Sequence, residues 1–309
     1  MTTTHGGRKL LDEAQLKKVA AFLGLFILLL AAPATPRPAA AQDKSFLWRV
    51  RSEKNSIYLL GSIHFLPKGS SPLKKSMEEA FDAAKKLVFE IDLQSATPEK
   101  AQQTTFEKGL FRDGATLQQS ISKETYDLTE QRARELGVDL RVMNPLKPWL
   151  VALTLTTLKL QKLGFDPAAG VDHYLAERAK RSGKPTGGLE SLEFQIGLFD
   201  GLSRRDQEMM LRESLTEMDL LDQGIERIIR SWFSGEVAAI EELLLAGMRE
   251  YPEVHEKIIV ERNRRWLPQL EKLLAQGESA LVVVGAAHLV GKEGVIELLK
   301  QRGYTVEQL

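Results

Sequence analysis

Residues 58–67 read YLLGSIHFLP, and residues 281–291 read LVVVGAAHLVG. In both, a short apolar run rich in strand-forming residues stops at a glycine, Gly61 or Gly285, and a histidine follows three residues later, His64 or His288. Five histidines occur in 309 residues, and two of them share this strand–Gly–x–x–His setting from opposite ends of the chain. In α/β sheets, ligands gather beyond the carboxyl ends of the strands, where the loops diverge. A glycine there lets the backbone turn sharply or approach a ligand closely. In an α/β protein, two such loops from opposite ends of the chain are expected to place two imidazoles side by side.

The rest of the chain fits such a sheet with a large helical insertion. Residues 45–51 and 56–60 are two short runs separated by charged residues and Asn55, the pattern of a β-hairpin. A helix is predicted over 73–85 and a strand over 87–93. From about residue 97 to 276 the periodicity is mostly helical, interrupted by possible strands at 139–143 and 185–189. Leu211, Leu215, Met218, Ile225, Ile229 and Trp232 recur at helical spacings of three, four and seven. A strand at 279–284, a helix at 292–302 and a last strand at 304–306 close the chain. The predicted architecture is a central β-sheet with a large helical insertion between its N-terminal and C-terminal strands. No Pro-, Gly- or Ser-rich linker divides it, so residues 42–309 read as a single domain.

Composition removes several classes of function. Forty-two Lys and Arg balance 42 Asp and Glu, without the basic excess expected of a nucleic-acid binder. There is no cysteine, which excludes thiol catalysis, disulfides and Cys-zinc sites. The N-terminus carries Arg8, Lys9, Lys17 and Lys18, then an uncharged run over 19–32, then Pro33, Pro36 and Pro38 before Ala39-Ala40-Ala41. This is the pattern of a signal peptide over residues 1–41, cut after Ala41. The apolar run is shorter than the roughly 20 residues of a membrane-spanning helix. The expectation is an exported chain, periplasmic or secreted, without a stable membrane anchor after cleavage.

Two paired imidazoles suit a divalent metal ion, which also wants a carboxylate. The segment LVFEIDL, residues 87–93, offers Glu90 and Asp92 on its polar face. Glu190 follows another apparent strand end, with Ser191 placed to cap the next helix. In the helix predicted over 254–274, Ile259, Trp266, Leu270 and Leu273 form an apolar stripe, yet Asn263 lies on it and Arg262 flanks it. Polar groups on an apolar face must be paired or face a site. Arg262 and Asn263 are therefore expected to hold substrate or an oxyanion, and Glu190 or Asp92 to serve as general base. His173 and Asp172 sit on an amphipathic helix and read as packing, surface or supporting residues. His255 reads as structural.

With GSIHFLP, LVFEIDL, GLESLEFQ, ERN and VGAAHLVGKEGVIELLKQRGYTV assembled, the chain resembles the TraB/GumN family, related to the Tiki metalloproteases, over nearly all of residues 42–309. The resemblance implies an α/β fold in which the two Gly-x-x-His histidines and an acidic residue share a site. Carried over, these are Gly61 with His64, Gly285 with His288, and Glu90. The Tiki branch implies a metal-dependent peptidase, and more distant relatives an esterase-like class and haem-binding proteins.

The function expected is an exported metal-dependent hydrolase acting on a peptide or protein substrate. His64, Glu90 and His288 would hold a divalent ion of unassigned identity, which Gly61 and Gly285 let the backbone approach. There is no His-Glu-x-x-His, so a standard zincin is not expected. The alternatives are a non-catalytic haem or metal binder and a metal-free esterase-like hydrolase.

Overall fold

The structure is a computed structural model that describes residues 44–70 and 73–309. The signal-peptide reading of residues 1–41 lies outside the described residues. Strands β1 (Leu47–Arg51) and β2 (Ser56–Ser62) form the predicted antiparallel hairpin. Its turn is tied down by Ser52 and Asn55, whose side chains bond the carbonyls of Leu274 and Leu273 at 3.0 Å each.

The other strands are β3 (Leu66–Pro67), β4 (Lys86–Phe89), β5 (Phe165–Asp166), β6 (Thr186–Gly188), β7 (Ala280–Gly285) and β8 (Thr305–Gln308). Six of them make one mixed sheet in the order β6-β4-β7-β2-β1-β8. β6, β4, β7 and β2 are parallel, while β1 and β8 add antiparallel pairings at one edge. β7 is buried along nearly its whole length, as its unbroken apolar sequence requires of a central parallel strand.

Helix α1 (Lys75–Ala83) leads into β4. Five helices separate β4 from β6: α2 (Pro98–Gly109), α3 (Leu117–Ser120), α4 (Lys123–Leu136), α5 (Pro148–Lys162) and α6 (Val171–Ser182). Between β6 and β7 lie α7 (Leu192–Asp200), α8 (Arg204–Thr216), α9 (Leu221–Phe233), α10 (Val237–Leu245), α11 (Pro252–His255) and α12 (Glu261–Ala275). α13 (Val295–Gln301) precedes β8. The apolar stripe read from 211 to 232 is buried as expected, with Leu211, Leu215, Ile225 and Trp232 wholly enclosed.

Three local expectations are corrected. Residues 139–143 are not a strand: Leu140–Met143 form a 3-10 turn, because the Asp139 carboxylate accepts the Arg141 N–H at 2.9 Å and so closes the backbone locally. The strand expected over 87–93 ends at Phe89, since its partner β6 ends at Gly188; the chain then turns at Asp92, which accepts backbone N–H groups from Gln94, Ser95 and Ala96. The helix read over 254–274 is interrupted by a π-helical turn, Glu256–Val260, placed just before Arg262. Such turns are frequent at functional sites.

Candidate active site

The four parallel strands finish on one edge of the sheet. Beyond that edge lie His64 after β2, Glu90 after β4, Glu190 after β6 and His288 after β7. Every acidic or imidazole candidate of the sequence analysis, Asp92 included, is thus delivered by a parallel strand exit, where α/β sheets bind ligands. A cavity of about 430 Å³ opens there, lined among others by Ser62, His64, Glu90, Gln195, Arg262, Gly285 and His288.

The two motif glycines serve close approach rather than unusual backbone angles. A Cβ on Gly61 would fall 2.4 Å from the Phe46 ring and 3.2 Å from Ala286 Cα, so only glycine lets the two exits pack together. Trp232 Nε1 donates to the Gly61 carbonyl at 2.6 Å and ties α9 to the same turn. A Cβ on Gly285 would lie 3.2 Å from Glu90 Oε1, 3.6 Å from His64 Nε2 and 3.7 Å from His288 Cδ2. The gap at Gly285 is bordered by all three residues that the sequence reading expects at a metal. The two imidazole edges can be no further apart than the sum of their distances from that point, well inside the roughly 10 Å beyond which one ion could not join them.

Each histidine is oriented through its Nδ1. His64 Nδ1 pairs with Asp172 Oδ1 at 3.0 Å, and α6, which carries Asp172, is held to the β2 exit by a bond from Val171 N to the Ile63 carbonyl at 2.9 Å. His288 Nδ1 lies 2.7 Å from Asn263 Oδ1. Arg262 Nη1 is 2.9 Å from His288 Nε2, and a guanidinium only donates. His288 Nε2 is therefore the acceptor, and Nδ1–H donates to Asn263. The Asn263 amide is fixed in turn, since its Nδ2 donates to the carbonyls of Glu293 at 2.8 Å and His288 at 3.3 Å.

Arg262 is the hub. Its Nη2 donates to Glu90 Oε2 and to Glu190 Oε1, both at 2.5 Å, and its Nε to Glu190 Oε1 at 3.0 Å. Gln195 Nε2 bridges the same carboxylates, at 2.9 Å to Glu90 and 3.1 Å to Glu190. Trp266 Nε1 donates to Glu190 Oε2 at 3.1 Å, and Gly285 N to Glu90 Oε1 at 2.7 Å. Burial alone would raise the pKa of Glu90; Arg262, followed by His288 and His64, outweighs it and holds the carboxylate well below its ordinary range. Glu190 is raised, because burial outweighs the attraction of Arg262. Burial and then Arg262 push His288 down to about 3, so it is neutral. His64 faces the opening with 45% of its side chain exposed; enclosure opposes its charge, but Asp172 prevails and raises it to about 9.

Of the four residues expected to do chemistry, Arg262 alone lines the cavity. Glu190 stands behind Arg262 as its counterion. Asn263 is wholly buried behind His288 and holds the ring rather than facing the cleft. Asp92 accepts from Thr186 Oγ1 at 2.7 Å and lines a neighbouring pocket with Glu190 and Lys100, because the chain leaves the strand before Asp92 can share a face with Glu90. His173 is exposed, as expected of a surface position.

Two contributors were not read from the sequence. Gln195 gave no signal beyond its place in GLESLEFQ. Ser62 lies inside the first Gly-x-x-His motif, is 3% exposed, and its hydroxyl has no hydrogen-bond partner among the described residues.

The donor set has the chemistry for a divalent cation: two imidazoles and a carboxylate border one gap, and each imidazole has an outer partner that fixes its orientation. As arranged, Arg262 takes the His288 Nε2 lone pair, and no group of three or more metal-binding side chains among the described residues is drawn close enough to hold an ion. Chelation by His288 requires Arg262 Nη1 to give up that nitrogen.

A model of the TraB/PrgY/gumN family matches residues 46–308. The chain belongs to this family. Relatives include a protein named Metalloprotease TIKI2 from Danio rerio, 24% identical over 88% of this chain and 62% of that protein. Metalloprotease TIKI1 from Homo sapiens is 22% identical over 88% of this chain and 63% of its own length. A protein of Treponema pallidum (strain Nichols) is 21% identical over 87% of this chain and 84% of itself. The chain thus spans about three fifths of these two Tiki relatives. No solved structure matches it. Among the described residues, no helix is long and apolar enough to cross a membrane.

Proposed function

We propose that this family member is an exported, metal-assisted hydrolase of peptide bonds. The observation that carries the reading is the gap at Gly285, bordered by Glu90 Oε1, His64 Nε2 and the His288 ring. His64, His288 and Glu90 would hold the ion. When bound, a divalent ion lowers the pKa of water to about 7 and polarises a carbonyl. The relatives named as metalloproteases support peptide bonds as the target.

The chain's own residues have distinct parts in this reading. Asn263 fixes the tautomer of His288, and Asp172 orients the His64 ring, which must give up its Nε2 proton to bind an ion. Arg262 keeps Glu90 ionised and sets a positive charge beside the place where a carbonyl oxygen becomes negative. Glu190, Gln195 and Trp266 hold Arg262 there. In the reaction the amide C–N bond breaks, the water oxygen bonds the carbonyl carbon, and the protons of water end on the amine and the new carboxyl group.

The test is elemental analysis of protein purified without chelator, together with cleavage of a mixed peptide substrate. A near-stoichiometric divalent metal, lost from His64→Ala and His288→Ala along with cleavage, is the expected result. Export is tested by mass spectrometry of protein recovered from the exporting cell: a mature N-terminus at Gln42 supports it, and a chain retaining Met1 opposes it.

The His64–Asp172 pair favours a second reading. An imidazole oriented by a carboxylate is the arrangement of a general base, so a metal-free hydrolase with His64 as base is the alternative; because Asp172 raises His64 to about 9, its activity would rise with pH toward that value as the ring loses its proton. Full activity in chelator would select it.

A further inference from the structure

The cavity is two-ended. At one end stand the polar groups of the strand exits. The other end is apolar, walled by Leu153 on α5, Ile196 and Phe199 on α7, Ile228 on α9 and Ile258 on the π-helical turn. The whole cavity, about 430 Å³, falls within the roughly 300–1,000 Å³ range of small-molecule sites. That is far more than a water molecule and an ion need.

Helix α7 is the unusual wall. Its sequence, LEFQIGLFD, is apolar enough for a core, yet none of its residues is fully buried. It is held from outside: Ser191 caps it by accepting from Phe194 N at 3.1 Å, Lys100 pairs with Glu193 at 2.9 Å, and Phe199 stacks on Trp149 with ring centroids 6.0 Å apart. Apolar side chains kept half-covered around a cavity lose the gain of burial unless something apolar fills it.

Resting on the hydrolase reading above, we infer that the substrate is a peptide with a large aliphatic or aromatic side chain beside the scissile bond. That side chain fills the cavity under α7. Acidic and basic side chains at this position are rejected, because the apolar walls give them no partner.

The test is a panel of otherwise identical peptides carrying Gly, Ala, Leu, Phe, Asp or Lys at one position, with kcat/KM measured for each. Transfer of a methylene into an apolar site is worth about fourfold, so Leu and Phe should exceed Ala by at least about tenfold, with Asp and Lys lowest. Leu153→Trp, which narrows the apolar end, should shrink the Phe-to-Ala ratio. Binding is read independently by calorimetry with N-acetyl-phenylalanine amide and N-acetylglycine amide on the unmodified protein. Cleavage with a flat ranking overturns this inference and leaves the hydrolase standing. Selective binding of the phenylalanine amide without cleavage of any peptide supports the pocket while the hydrolase reading fails. Absence of both cleavage and selective binding overturns the inference.

Discussion

Ser62 and Gly285 are register partners on the neighbouring parallel strands β2 and β7. The two Gly-x-x-His turns therefore leave the sheet side by side, one residue out of step, and their histidines are carried to the same gap. The repeated motif at opposite ends of the sequence is one place in the fold.

Ser62→Ala should leave the fold at least as stable as the parent. Removing a buried hydroxyl that has no partner among the described residues leaves stability unchanged or raises it by up to roughly 1–3 kcal/mol. A thermal melt checks this; a lower Tm would show that the hydroxyl is paired in the folded protein.

Arg262→Met should destabilise the fold by about 3–5 kcal/mol, because it leaves the buried carboxylates of Glu90 and Glu190 without their cation. Arg262→Lys keeps the charge but not the fork that reaches both carboxylates, so it should recover only part of the loss. Urea denaturation measures both. A cost under about 1 kcal/mol for the methionine variant would mean that the cluster relaxes freely.

Asp172→Asn should weaken metal binding by about 10–100-fold while leaving the melting temperature near that of the parent, since it disturbs only the outer partner of His64. Competition against a coloured chelator gives the affinity. Equal affinity in both proteins would remove Asp172 from the site.

Trp232→Phe keeps the ring in its buried place and strips the donor from the Gly61 carbonyl. A cost of about 1–3 kcal/mol follows from the unpaired carbonyl. Hydrogen exchange should rise at the amides of residues 62–65 before it rises elsewhere; uniform acceleration would argue against a local anchor.

The strands and the buried stripe of α8 and α9 were legible because side-chain periodicity is a local property. So were Arg262 and Asn263 as anomalies, being polar on an apolar helix face. Their partners were not. Arg262 meets Glu190 across 72 residues and Glu90 across 172, and no local pattern states which strand end will face which helix. Asp92 misled because LVFEIDL keeps a strand's alternation past Phe89, while the ladder stops where β6 runs out. Residues 139–143 misled because their apolar content suits a strand and a capped turn equally well. Ser62 was hidden inside the motif that drew attention to its neighbours.

The position of β7 bears on how the protein is made. In space it lies between β2 and β4, but in sequence it comes after nearly 280 residues. A nascent chain that has not reached Ala280 has its hairpin and most of its helices, yet β2 and β4 both present open edges toward the missing strand. Closing so long a loop is slow, because its entropy is lost before the contacts form. Unpaired parallel edges in the meantime are sticky toward other chains. The strand that completes the sheet also brings Gly285 and His288, so the cleft is assembled only once β7 has been made. A cell making this protein holds an aggregation-prone precursor until that strand arrives, and chaperone cover matters most in that interval.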